Sequence, residues 1–195
     1  GDLRRGVPMA LASAAAFATS GTFGKSLLDN GWSPGAAVTT RISVAAVVLL
    51  VPALIQLDGR WFLLRKNLGL ILVYGALAVG GCQLFYFNAV QTLSVGVALL
   101  LEYLGLVLVV GWLWLRHGQR PRRWTVAGIV LSVAGLGLVL DVTGGMRVDL
   151  TGVLWGLGAA VGLATFFVLS AHDETGLPPL VMAAAGMAVG AIVLG

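Results

Sequence analysis

The sequence predicts an all-α polytopic membrane protein. Three observations carry this: a train of apolar segments each about long enough to cross a bilayer, charge confined almost entirely to the stretches between them, and tryptophan at their ends. A helix needs roughly 20 mostly apolar residues to span a hydrocarbon core of ~30 Å. Seven stretches meet that need: Val7–Leu28, Pro34–Leu57, Leu68–Val90, Leu93–Leu115, Trp124–Leu140, Gly152–Ala171 and Pro178–Gly195. The chain of 195 residues is 58% apolar and 10% charged, with mean hydropathy +0.97. A soluble fold of this length cannot bury so much apolar surface. Barrel strands are excluded, because the spans are too long and too uniformly apolar, and lipid-facing backbone must close its own hydrogen bonds.

Each element has local signals. Pro8, Pro34, Pro121 and the Pro178–Pro179 pair stand at or just before helix starts, where a missing N–H costs little. Pro52 lies inside the second span and is expected to kink it. The third and fourth spans form a hairpin that turns near Thr92. All six tryptophans, Trp32, Trp61, Trp112, Trp114, Trp124 and Trp155, fall at or near span ends, where an indole finds both apolar and polar surroundings. Glycine is abundant, and Gly152/Gly156, Gly158/Gly162 and Gly186/Gly190 have the small-xxx-small spacing of close helix packing within a bundle.

The net charge is +4 and the pI about 9.8, yet the placement of the charges argues against nucleic acid as a partner. Arg4 and Arg5 precede the first span, Arg60, Arg65 and Lys66 follow the second, and Arg116, Arg120, Arg122 and Arg123 follow the fourth. Alternate loops carry far fewer charges and almost no basic residue: Asp29 alone in one, none in Gln91–Ser94, and Arg147 among Asp141 and Asp149. Basic loops stay cytoplasmic, so the amino terminus is expected inside, in the inner membrane. The sixth loop, His172–Gly176, should also face inward but has no Lys or Arg.

An internal repeat appears when Gly6 is set against Gly152. Gly6, Val7, Leu11, Ala14, Ala18 and Thr19 then meet Gly152, Val153, Leu157, Ala160, Ala164 and Thr165, and a short gap brings Pro34 to Pro178. Five spans separate the two starts, so the copies insert in opposite directions, as in many secondary transporters with a substrate site at the repeat interface. The expected organisation is a five-helix repeat over residues 1–145 and the first two helices of a second over 146–195, within a protein of about ten spans.

These residues resemble the EamA-type carriers of the drug/metabolite transporter superfamily. Phe17 and Lys25 in the first span, Arg41 early in the second, and the run from Ala98 through Arg116–Trp124 to Gly128 and Gly135 are similar to the family's helices. The resemblance implies ten helices in two inverted repeats, moving small metabolites or amino acids, mostly outward. Two positions depart from the family pattern: Gly105–Leu106 stands where a proline is frequent, and Gly118–Gln119 where Gly-Glu is frequent.

Charge inside a span is expensive and requires a reason. Glu102 and Gln83 lie at matched depth on adjacent helices, roughly 14–15 Å from the hairpin turn at 1.5 Å per residue. They could bind a polar substrate together, and a buried carboxyl can exchange a coupling proton near neutral pH. Ala98 and Gly105 are expected to leave open volume beside Glu102. Arg41 could attract a substrate carboxylate, or pair with Glu102 and lock the bundle. Tyr86, Tyr103 and Lys25 complete the candidate substrate-binding set, with snorkelling as the plainer role for Lys25 and helix capping or bridging for Asn88. Cys82, the single cysteine, reads as a small packing residue, and His117 and His172 lack ligand spacing, so no metal or cofactor is expected. No phosphate-cradling loop or catalytic motif is present in the sequence.

The expected function is therefore gradient-driven export of a small metabolite by alternating access, in a cavity lined by the first, third and fourth spans. The expected partners are a small-molecule substrate, the bilayer, a coupling proton and a second copy of the chain as a homodimer. The alternatives are a non-transporting scaffold or lipid-handling subunit, and an intramembrane enzyme.

Overall fold

The computed structural model describes residues 11, 23–139, 149–170 and 176–195. Most of the first predicted span, including Phe17, lies outside them, as do Arg4, Arg5, Gly6, Pro8, Arg147 and His172. All regular structure among the described residues is helical. Residues 23–29 end the first helix, α1. There follow α2 (Pro34–Leu57), α3 (Trp61–Lys66), α4 (Leu68–Thr92), α5 (Val95–His117), α6 (Arg123–Val139), α7 (Leu150–Ser170) and α8 (Pro179–Leu194). Among these, α2, α4, α5 and α7 are long and apolar enough to cross a membrane, while α6 and α8 are shorter apolar helices. The chain is an all-α, multi-pass membrane protein.

The helix ends follow from their caps. Ser33 Oγ accepts from the Ala36 N–H at the start of α2, and Ser94 Oγ from the Val97 N–H at the start of α5, each satisfying an orphan donor of a first turn. Gly118, at φ +66°, ends α5 in the left-handed conformation that glycine tolerates, so the helix runs to His117 rather than stopping at Leu115. α2 continues through Pro52 to Leu57. α3 was not expected: Trp61–Leu64 is a short apolar run closed by Arg65 and Lys66, long enough for one helical turn but not for a span, and it buries only Leu63.

Within α4 the segment Tyr74–Gly81 is π-helical, an eight-residue widening in an otherwise α-helical span. It carries no hydropathy signature, and sequence reasoning missed it.

α4 stands at the centre. α7 runs antiparallel to it and parallel to α5; α8 runs parallel to α4 and antiparallel to α2, with Gly195 reaching Thr39. Glycines set these approaches. A Cβ added at Gly162 would lie 2.7 Å from Cys82 Cβ and 2.8 Å from its Cα; at Gly156, 2.7 Å from Leu101; at Gly186, 2.5 Å from the Tyr74 ring. The predicted small-residue pairs thus serve packing within the chain. Gly105 departs from expectation: its Cβ would meet Ala160 O at 2.5 Å, so it closes a helix crossing with α7 instead of leaving open volume. Ala98 is likewise fully buried. In lipid no hydrophobic force gathers the helices, so close van der Waals packing through small residues supplies the contact.

The outer surface is apolar: Leu115 is 86% exposed, Leu138 81% and Trp124 80%. Trp155 lies near the start of α7 and packs on Phe85, ring centroids 5.6 Å apart. Asn88 donates to Leu84 O of its own helix, so it neither caps nor bridges.

Two contacts orient the bundle. Lys25 Nζ donates to Val90 O at 3.1 Å, and Gly152 lies against Thr92 and Leu93. The end of α1 and the beginning of α7 therefore share the end of the bundle where α4 turns into α5.

Gly162→Ala should lower the melting temperature in detergent, at a cost of about 1–3 kcal/mol for overpacking. Gly128→Ala, which meets nothing within 4 Å, should stay within about 0.5 kcal/mol of the native protein; equal effects would contradict this packing. At the start of α7, the Thr151 backbone N–H donates to Asp149 Oδ1 at 2.9 Å. This bond first, and the Thr92 hydroxyl next, hold the Asp149 carboxyl below its ordinary value. A depressed carboxylate stabilises the fold above its unfolded pKa of about 3.9 and loses that contribution as pH falls through the lower folded value. The acid limb of the stability curve should therefore be shallower in Asp149→Asn than in the native protein; parallel limbs would count against this contribution.

Candidate functional site

Five helices line a cavity of about 510 Å³, within the range of small-molecule pockets. α2 supplies Arg41; α4 supplies Tyr74, Cys82, Gln83 and Tyr86; α5 supplies Glu102 and Tyr103; α7 supplies Phe166 and Phe167; α8 supplies Met187. Five of the six predicted substrate contacts meet here, namely Glu102, Gln83, Arg41, Tyr86 and Tyr103. Lys25 does not line the cavity. It bonds Val90 O and lies 3.8 Å from Asp29, one turn along its helix, as a cation anchored at a helix end would.

Glu102 is 6% exposed, the one buried charged residue among the described residues. Its carboxylate Oε1 lies 3.4 Å from Cys82 Sγ, and the same sulfur lies 3.4 Å from Ala159 O on α7. The thiol has one proton and two acceptors, one on each neighbouring helix. Cys82 is thus more than filler. Its part was invisible in sequence, because a lone cysteine in an apolar span shows nothing of what it touches.

Arg41 faces the same cavity but makes no ion pair with Glu102; the Lys25–Asp29 contact is the only ion pair among the described residues. Its guanidinium carbon lies instead 5.9 Å from the centroid of the Phe87 ring, a separation at which a ring face attracts a cation. The expected locking pair is therefore not formed as a direct contact, and both charges line one cavity.

Polar atoms without partners complete the site. Gln83 Oε1 and Tyr86 OH are buried with no hydrogen bond from the protein. A buried polar group left unpaired costs free energy comparable to a lost hydrogen bond, so these atoms suit water or a polar guest. The apolar wall is aromatic: Tyr74 and Phe166 have centroids 5.4 Å apart, and Phe166 meets Phe167 edge to face at 5.6 Å.

α7 and α8 form a wall beside the expected third and fourth spans, and the expected lining by most of the first span lies outside the described residues. Sequence reasoning missed Phe166, Phe167 and Met187 because it sought polar groups. The available signal was bulk: two adjacent phenylalanines in a helix otherwise rich in glycine and alanine. A second cavity of about 340 Å³ lies between α2, α3 and α8 and is lined by apolar residues, Trp61 among them.

A profile of the EamA-like transporter family matches residues 4–141. The chain is 29% identical over 161 residues to the uncharacterized transporter YwfM of Bacillus subtilis (strain 168), covering 80% of this chain and 54% of that protein. Shorter matches, 42% identical over 38 and 33 residues, join it to a UPF0060 membrane protein of Acidovorax sp. (strain JS42) and to the UPF0060 membrane protein HEAR0108 of Herminiimonas arsenicoxydans. These cover 20% and 17% of this chain, and 34% and 30% of those proteins. The chain thus spans about half the length of YwfM. No solved structure matches. By the extent of the family match, the chain belongs to the EamA-like transporter family.

Proposed function

We propose that the chain forms part of a secondary transporter that exports small polar or amphipathic metabolites, such as amino acids or related compounds, across the inner membrane. One observation carries the reading. A carboxylate, a guanidinium and two unpartnered polar atoms face one cavity among membrane-spanning helices. Glu102 receives a cationic substrate group or a coupling proton, and Arg41 receives an anionic one. Gln83, Tyr86 and Tyr103 supply hydrogen bonds, and the aromatic wall takes apolar parts of the substrate. Lys25 anchors the end of α1.

Access alternates by rocking of two inverted repeats, residues 1–145 and the repeat that begins at 146. Support comes from α1 ending where α7 begins, and from the antiparallel pairing of α2 with α8, which the repeat makes equivalent. The basic loop Arg116–Arg123 supports a cytoplasmic amino terminus. A second copy of the chain is the expected partner in the membrane.

The test uses the full-length protein in liposomes with an imposed pH gradient, and a radiolabelled amino-acid mixture as probe. Glu102→Gln should reduce flux at least tenfold and flatten its pH dependence, while Lys25→Met should retain both. Unchanged flux and unchanged pH dependence in Glu102→Gln would remove the assignment.

A further inference from the structure

The π-helical segment of α4 bears directly on which residues face the cavity. Tyr74, at its start, and Gln83, just beyond its end, both line that cavity. They are nine residues apart. At 3.6 residues per turn each residue turns a helix by about 100°, so a regular α-helix would place them on opposite faces. Closing i→i+5 bonds in place of i→i+4 absorbs about one extra residue. That holds back everything after Gly81 by about 100° and brings Gln83 and Tyr86 round to the side of Tyr74.

The segment is also seated so that it can change. A Cβ at Gly190 would lie 3.0 Å from Gly75 O, and one at Gly80 would lie 3.4 Å from Gly190 Cα. Here α4 and α8 touch backbone to backbone, and the α8 side chains that cross, Val189 at Gly75 and Leu194 at Gly80, meet glycines of the segment. Leu77, within the segment, is 57% exposed on the outside of the bundle. Beyond the segment, Gln83 Oε1 and Tyr86 OH have no protein partner to hold them in place.

We propose that Tyr74–Gly81 is a register switch: its π form presents Gln83 and Tyr86 to the cavity, and its α form turns the following half of α4 by about 100° and withdraws them. The same turn takes the Cys82 thiol away from Glu102 and Ala159 O. The switch rests on the transport reading for its use, but its test reads helix register and not flux, so either can fail alone.

The sole cysteine reports the turn. In the full-length protein in nanodiscs, deletion of Leu77 removes the extra residue, making α4 continuous while keeping Gln83 on the cavity side. Alkylation of Cys82 by N-ethylmaleimide should then slow at least tenfold relative to the native protein at an unchanged melting temperature, and Leu77→Ala should react at the native rate. Amide exchange on the native protein is the second arm and does not depend on the deletion variant folding. Amides of residues 75–82 should exchange at least tenfold faster than those of residues 84–90 in the same helix. Equal alkylation rates in native and deleted proteins, or uniform protection along α4, would overturn the proposal.

Discussion

A carboxylate in the interior of a helical bundle is the constraint on which the rest of this structure turns. Glu102 is nearly sealed from the surface, and its setting offers one weak thiol donor rather than a salt bridge. An ionisable group among spanning helices is costly to hold there. The arrangement around it is therefore informative: Arg41 faces the same space without closing on it, and the groups beside it on α4 are left unpaired. A site built only for stability would have joined these partners, since a half-satisfied polar network is worse than an apolar core.

Glycine makes that setting attainable. The cavity is bounded where α7 crosses α4 and α5, and where α8 lies along α4; each crossing brings backbone close to backbone or to the root of a side chain at Gly105, Gly156, Gly162, Gly186 or Gly190. Tight contact around the rim leaves volume in the middle, and aromatic rings from α4 and α7 fill the apolar side of it. The thiol of Cys82 is where the two demands meet, touching the carboxylate on α5 and a carbonyl on α7 at equal distance.

Much of this was legible in the residue order, for identifiable reasons. Spans are set by a long-range average of hydropathy, so the observed helices agree with their predicted limits to about two residues. Position along a helix is set by counting, and Glu102 and Gln83, paired across the hairpin in this way, line one cavity. Features decided by neighbours distant in sequence were not legible. Gly105 looked like vacant space until α7 was seen against it, and Cys82 looked inert until its two acceptors were in place. The π segment leaves no trace in composition, because Tyr74–Gly81 is as apolar as the helix around it. The wall from α7 and α8 escaped because it contributes rings and thioether rather than charge.

The bundle rests on α1 and α7 meeting one of its ends from opposite directions, with a membrane around them. Labelling by a membrane-impermeant maleimide measures this directly, using single cysteines placed at Asn30, Asp149 and Gln119 in a Cys82→Ser background. Asn30 and Asp149 should label from one face of the membrane and Gln119 from the other. Labelling of Asn30 and Asp149 from opposite faces would contradict the arrangement on which the cavity is built.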